Sequence, residues 1–359
     1  MPDFIRYLNG GFKISFQPVM VVILNIFAVP DLPTMKNHQR TTGFQIAILL
    51  LIWWPVKVAN GQDLDPRAYV RIPIKTTTLV SGLVYSFGGV VSDPTLPVTN
   101  IKADVQALSV GLAHSFNLAG KTAQAMVAMP YSFAQVSGEV NEQSRSIDRA
   151  GFADMRMRLS VLLIGAPAKK FEEFIKSKAQ KTILGVSINM AVPTGQFFKD
   201  KLINIGANRW AFRPEVALSQ PIGKKWLLDM YVGCWLFTTN KSFYPGNTQR
   251  KQDPMGTFQG HISYNFKPNL WVAFNTTFYA GGASTLNGVI KDDRQSNVRV
   301  GLTGALPTGK MSSLKIAAST GAVVRIGQDF TTVSLGWQRS WISRKKPEVK
   351  NQGGQPYVR

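Results

Sequence analysis

Arginines that alternate with apolar residues are the side chains of this sequence with the clearest potential for chemistry. Arg156 and Arg158 alternate with Met155 and Met157, so the two guanidinium groups would share one face of an extended segment. A guanidinium group binds carboxylates through a planar fork of donors and also lies favourably against aromatic rings. A row of such arginines can therefore select anions or electron-rich aromatic molecules.

Alternation places further polar side chains on the same kind of face. The candidate pore-lining or substrate-contacting residues are Asp154, Arg156, Arg158, Arg213, Glu215, Asp229, His261, Asn265, Asn297, Arg299 and Arg325. Asp292, Asp293 and Arg294 follow in a predicted extracellular loop. We interpret the arginines as a selectivity zone. The alternative is that they pair with Asp154, Glu215 and Asp229 and fill the interior of a narrow barrel.

Catalytic and metal chemistry find little support in the sequence. Downstream of residue 61 the only histidines are His114 and His261, which lie on different segments without matched carboxylates, so no metal or other cofactor is predicted. The single cysteine, Cys234, excludes an intrachain disulfide. No G-x-S-x-G motif is present, and we predict no enzymatic activity. A hydrolase that uses His261 is kept as an alternative.

The elements that would position these residues are long strands. In the clearest case, 256–266, Phe258, Ile262 and Phe266 alternate with polar residues such as His261. Segments with this pattern are 78–91, 102–117, 122–138, 149–165, 181–193, 211–220, 226–239, 255–267, 270–281, 295–306, 312–326 and 330–342. They exceed the usual strand length of about five or six residues. The sequence predicts an all-β fold, a transmembrane antiparallel up-and-down β-barrel of about twelve strands.

Connector lengths predict the orientation of this barrel. Short connectors at 117–121, 221–225, 267–269 and 307–311 are predicted to be periplasmic, and longer ones at 139–148, 194–210, 240–254 and 282–294 extracellular. The connector 166–180 is predicted to hold one short periplasmic helix. Aromatic residues near segment ends, such as Trp235, Phe237 and Trp271, are interpreted as interfacial girdles.

The amino-terminal part of the chain indicates export. Residues 35–61 combine a basic start, an apolar run and small residues at Ala59 and Gly61, which together predict a signal peptide cut before Gln62. A membrane anchor is the alternative. Residues 1–34 are interpreted as a non-native upstream extension, 62–342 as the outer-membrane barrel, and 343–359 as a basic carboxy-terminal tail.

The charge of the chain narrows its partners. Lys and Arg number 41 against 20 Asp and Glu, a net charge of +21. Because this surplus is spread along strands, inner turns and the tail, without a helix or an aromatic platform, nucleic acid is not predicted as a partner. The predicted partners are membrane lipid and lipopolysaccharide, a small-molecule solute, and the barrel assembly machinery.

Several blocks of sequence resemble the transporter family linked to the meta-pathway of phenol degradation. They include GFADMRMRLSVLLIGAPA (151–168), DKLINIGANRWAFRPE (200–215), FQGHISYNF (258–266) and DDRQSNVRVGLTGALP (292–307). The resemblance runs from about residue 65 to 341 and implies an outer-membrane barrel that passes small compounds, with aromatic ones as candidates. The tail from 343 and the segment before Met35 depart from the family pattern.

Together these features predict a channel in the outer membrane of a Gram-negative bacterium for passive uptake of small solutes, with phenol-like compounds as candidate solutes. A filled structural or adhesive barrel is the first alternative. An outer-membrane hydrolase is the second.

Overall fold

The computed structural model describes residues 64–91, 98–140, 143–177, 181–243 and 248–343. The predicted signal peptide at 35–61, the upstream residues 1–34 and the tail beyond 343 lie outside the described residues. Across the described ranges the chain is almost entirely β-structure, and no helix there is long and apolar enough to cross a membrane.

The described residues form seventeen strands and one short helix. In chain order they are β1 (Thr76–Val91), β2 (Val98–Leu118), β3 (Lys121–Val140), β4 (Gln143–Phe152), β5 (Met155–Pro167), helix α1 (Phe171–Ile175), β6 (Ile183–Val192), β7 (Ala211–Ile222), β8 (Trp226–Phe237), β9 (Asn240–Phe243), β10 (Thr248–Gln252), β11 (Met255–Lys267), β12 (Leu270–Gly281), β13 (Ser284–Leu286), β14 (Val289–Ile290), β15 (Gln295–Gly309), β16 (Ser312–Val323) and β17 (Gly327–Ile342).

The long strands form one closed antiparallel ring. Each pairs with its neighbour along the chain, and β1 pairs with both β2 and β17, which closes the wall. Strands β4 and β5 both pair with β3, so they form a single wall strand that is interrupted at Ala153 and Asp154. The wall therefore has twelve strands, as predicted, and closure satisfies the backbone groups that a membrane would otherwise leave without partners.

Burial is inverted relative to a water-soluble β-protein. On β11, Phe258 and Phe266 are 42% and 53% exposed, whereas Gln259 and His261 are 2% and 1% exposed. The apolar side chains thus cover the outside of the ring and the polar ones line the lumen, which confirms the predicted alternation. An apolar belt of this kind is stable only against lipid.

The outer end of the barrel carries more β-structure than predicted. The connectors 240–254 and 282–294 contain β9, β10, β13 and β14, which pair into a separate four-stranded sheet. The predicted loop 139–148 is wrong over most of its length, because β3 continues to Val140 and β4 begins at Gln143. Six of the seven residues 143–149 are polar, with Ile147 as the exception, so the hairpin lacks the alternation that marks a strand within the membrane.

The inner end is built from tight turns and the predicted short helix. Ala119 (φ 47°) and Gly120 (φ 79°) form a two-residue turn between β2 and β3, and the Gly120 N–H donates to Asn117 Oδ1 at 2.8 Å. Helix α1 lies within the long inner connector, as predicted. Short turns are typical of the periplasmic end of outer-membrane barrels, so we assign this end to the periplasm.

Candidate functional site

Residues 64–75, here called the plug segment, run into the lumen from the inner end of the barrel. Asp65 lies 3.1 Å from Lys315 Nζ on β16 and 4.0 Å from Arg158 Nη1 on β5. These two strands are nearly opposite each other in the ring. At the inner rim, the Ile74 N–H donates to the Lys169 carbonyl at 2.9 Å. The segment therefore crosses the interior of the barrel.

Tyr69 is the residue of the plug segment that is most firmly held. Its side chain is fully buried, and its hydroxyl donates to Glu215 Oε1 at 2.9 Å and accepts from Ser187 Oγ at 2.6 Å. Arg158 lies over its ring at 4.5 Å. Arg213 contacts the other oxygen of Glu215 at 3.5 Å. Two predicted site residues, Arg158 and Glu215, thus contact this tyrosine directly, and Arg213 is linked to it through Glu215.

Arg67 links the plug segment to the opposite part of the wall. Its backbone N–H donates to Asp229 Oδ2 at 3.3 Å, and its guanidinium donates to Asn265 Oδ1 at 2.6 Å. The guanidinium also lies over Trp271 at 4.6 Å from the ring centre. Asp229 and Asn265, both predicted from parity to face the lumen, therefore contact the plug segment.

His261 is buried in the same region and is paired with an amide side chain. Its Nδ1 lies 2.9 Å from Asn275 Oδ1, and its ring packs against Tyr231 at 5.1 Å. Its Nε2 has no hydrogen-bond partner among the described residues. No described cluster of His, Cys, Asp or Glu is suited to holding a metal ion.

The remaining predicted residues lie near the outer rim. Asn297 donates to the Ile326 carbonyl and accepts from the Arg325 N–H, both at 2.9 Å. The predicted strand 312–326 is too long, because β16 ends at Val323 and Arg325 lies in the turn that follows. Arg325 pairs with Asp292 at 2.7 Å and with the carbonyl of Arg294. Asp293 accepts from the Ser284 N–H at 2.6 Å. These residues therefore connect outer loops.

Arg299 is buried in the wall of the lumen. Its Nη2 donates to the Phe330 carbonyl at 3.3 Å and lies 3.5 Å from Ser319 Oγ. This arginine therefore joins β15 to its neighbours and is withdrawn from the open part of the lumen.

The connector 193–210 folds back into the outer mouth of the barrel. Asp154, in the interruption between β4 and β5, is attached to both of its arms, because its two oxygens accept from the N–H groups of Gly195 at 3.0 Å and Ala207 at 2.9 Å. The Arg149 side chain also donates to the Ile203 carbonyl at 3.1 Å. Gly195 and Gly206 pack backbone against backbone, and a Cβ on Gly195 would lie 2.8 Å from Gly206 Cα. This connector divides the outer lumen into separate spaces.

Cavities remain around the plug segment and the folded connector. The central cavity, about 280 Å³, lies between the plug segment and Arg156, Arg158 and Trp235. The aromatic cavity, about 380 Å³, is lined by Asp154, Arg156, Ala191, Ala207, Arg209, Ala211, Trp235, Phe237, Met255, Tyr279 and Gln328. The apolar cavity, about 510 Å³, lies on the other side of the connector, among β1, β2, β3, β4 and β17.

Aromatic residues of the lumen were assigned to the wrong face from the sequence. Trp235, Phe237 and Trp271 were expected in interfacial girdles, yet Trp235 and Phe237 line the aromatic cavity and Trp271 is 7% exposed beneath Arg67. Parity carried the correct signal, because Leu236 between the first two is exposed at 42% on the lipid side. The residue type favours the membrane interface for large aromatic side chains, but alternation along the strand assigns these three to the lumen.

Arg209 is a further candidate functional residue, which the sequence pattern did not indicate. It lies in the folded connector, with its guanidinium 4.5 Å from the centre of the Phe237 ring. Burial, together with the nearby charge of Arg250, lowers the pKa of Arg209 to about 10, while Asp154 acts in the opposite direction. The group still carries its charge at neutral pH and is poorly solvated.

A closed twelve-strand wall with an apolar outside and a polar inside defines a transmembrane β-barrel of the Gram-negative outer membrane. The chain belongs to the family described as "Putative MetA-pathway of phenol degradation", whose model matches residues 85–341. No curated protein matches the chain significantly.

Among solved structures, an outer membrane channel from Pseudomonas putida F1 is similar with a TM-score of 0.66 and 20% identity, over 78% of this chain and 100% of that one. The β-domain of a Bordetella autotransporter gives a TM-score of 0.46 and 11% identity, over 74% and 100% of the two chains. A toluene transporter from P. putida gives 0.36 and 9%, over 77% and 92%.

Proposed function

We propose that this barrel is an outer-membrane channel for passive uptake of small solutes, with single-ring aromatic compounds as the preferred class. The observation that carries the proposal is the hollow outer half of the lumen. Two cavities of about 380 and 510 Å³ flank the folded connector and lie above the plug segment. Both volumes fall in the range of about 300–1,000 Å³ that is usual for small-molecule sites.

The lining of the apolar cavity supports uptake of weakly polar solutes. Aliphatic side chains from the wall, such as Ile101, Val105 and Ile147, face Leu202 and Ile205 of the folded connector. A solute with little polar surface loses few hydrogen bonds when it enters such a space, whereas a sugar would leave several hydroxyl groups without partners. The lining therefore favours aromatic or aliphatic molecules over sugars of similar size.

A filled structural barrel is the second candidate, and the plug segment is the observation that favours it. Asp65, Arg67 and Tyr69 contact strands around much of the ring, so the segment stiffens the wall while it narrows the lumen. The two functions differ in a single respect, which is whether solutes pass the segment.

Uptake by cells distinguishes the two candidates. We expect cells that express the protein to take up labelled benzyl alcohol faster than cells without it, with little gain for a sugar of similar size. Equal rates with and without the protein would favour the structural barrel. A matching gain for the sugar would contradict the proposed solute class.

A pair of variants links uptake to the lumen. Ala103 is 4% exposed and lines the apolar cavity, whereas Leu108 on the same strand is 47% exposed on the outside of the ring. We expect Ala103→Trp to fill the cavity and slow uptake of benzyl alcohol. Leu108→Trp is the matched control and should leave uptake unchanged.

A further inference from the structure

Arg209 presents an unsatisfied cation to the aromatic cavity. Its Nη2 donates to Gln252 Oε1 at 2.5 Å, but its Nη1 is buried and has no hydrogen-bond partner among the described residues. A buried guanidinium donor without an acceptor is costly, because charged groups lose much of their hydration when they leave water. The position of Nη1 therefore favours a molecule that brings an anionic oxygen.

Arg156 supplies a second guanidinium to the same cavity. It projects from β5 into the open lumen and makes no hydrogen bond or ion pair with any described residue. The carboxylate of Asp154 also lines the cavity, yet both of its oxygens already accept N–H groups of the folded connector. Two arginines thus share the cavity with one carboxylate whose oxygens are already hydrogen-bonded, so the cavity retains a positive charge.

The rest of the lining is suited to a planar ring. Trp235 and Phe237 lie nearly parallel, with 14° between their planes and 6.4 Å between their centres, and Tyr279 lines the same cavity. Aromatic side chains bind flat rings by offset stacking and edge contacts. The volume of about 380 Å³ lies near the lower end of the usual range for small-molecule sites, so it suits one ring better than several.

We propose that the aromatic cavity is a binding site for a small aromatic monocarboxylate. Arg209 and Arg156 bind the carboxylate group, and the ring lies among Trp235, Phe237 and Tyr279. Arginine is suited to this task because its planar fork matches the geometry of a carboxylate. This proposal rests on the proposed channel function and narrows it, because the aromatic solute that binds at this site must also carry a negative charge.

Calorimetric titration of the purified, detergent-solubilised barrel tests the site. The probes are benzoate, benzyl alcohol (the ring without the charge) and acetate (the charge without the ring). We expect benzoate to bind about tenfold more tightly than either comparator, a difference of about 1.4 kcal/mol. Comparable binding of benzyl alcohol or acetate would overturn the proposal.

Variants assign the binding to the two arginines. We expect Arg209→Gln and Arg156→Gln each to weaken benzoate binding several-fold. Arg339→Gln, at the inner end of β17, is the matched control and should bind benzoate like the parent protein. Equal weakening in all three variants would contradict the assignment. Folding of each variant is checked by the heat-dependent shift of barrel mobility on a gel.

The uptake measurement keeps this proposal separate from the channel function. If benzyl alcohol enters cells through the protein while benzoate fails to bind, the carboxylate site is wrong and the channel function stands. If benzoate binds as expected while neither compound enters cells, the site stands and the channel function is wrong.

Discussion

At the scale of single residues, the plug segment depends on a space that a glycine leaves in the wall. Gly185 on β6 faces the lumen beside Tyr69. A Cβ at this position would lie 2.6 Å from Cδ1 and 3.1 Å from Cε1 of the Tyr69 ring, and 3.2 Å from the Leu162 side chain. No backbone atom is among these close neighbours, so an added methyl group would act mainly on the tyrosine.

Gly185→Ala should therefore loosen the plug segment and leave the wall intact. Overpacking by one methyl group costs about 1–3 kcal/mol, and here the cost is relieved when Tyr69 moves away from Glu215. We expect a higher single-channel conductance in planar bilayers. Gly304→Ala is the control, because a Cβ there meets no atom within 4 Å. If the two variants conduct equally, Tyr69 does not restrict the lumen.

The sequence predicts which way a residue faces better than it predicts what the residue contacts. Alternation is local, so the inward direction of Arg213, Asp229 and His261 follows from a few neighbouring residues. The contact between Tyr69 and Glu215 joins residues 146 positions apart, and nothing in the sequence near either one indicates the other. The wall residues that contact the plug segment therefore cannot be predicted from the strand sequences alone.

At the scale of elements, one carboxylate joins the two arms of the folded connector 193–210. Asp154 accepts N–H groups from both arms of the connector, through Gly195 and Ala207. Hydrogen bonds to a charged group contribute about 1.5–3 kcal/mol each. The connector also carries Arg209 and one side of the apolar cavity, so its position controls both outer cavities.

Asp154→Ala should loosen the connector in the lumen. Two N–H groups would lose their acceptor and would turn to water, which requires the connector to move outward. We expect trypsin to cleave after Arg209 faster than in the parent protein. Asp200→Ala is the matched control, because Asp200 is exposed and pairs with the adjacent Lys201. An unchanged cleavage rate in Asp154→Ala would show that other contacts hold the connector.

The strands themselves were the most predictable elements. The bounds of β11 and β12 agree with the sequence-based segments at 255–267 and 270–281, because their apolar faces lie against lipid along their whole length. The inward fold of 193–210 was missed. Its attachment depends on Asp154, which the sequence assigned to a continuous strand, whereas β4 and β5 are interrupted there.

At the scale of the whole molecule, wall and plug segment are separable, because the ring of strands closes through its own backbone hydrogen bonds. The plug segment adds contacts on the inside, and none of the wall pairings depends on it.

A chain in which residues 65–70 are replaced by Gly and Ser should therefore fold, retain the heat-dependent mobility shift of a barrel, and melt at a lower temperature. We expect its conductance to exceed that of Gly185→Ala, since every side-chain contact from Asp65 to Tyr69 is lost. The same replacement in the tail, at 351–356, controls for altered composition. Unchanged conductance in the plug variant would show that the plug segment does not restrict the lumen.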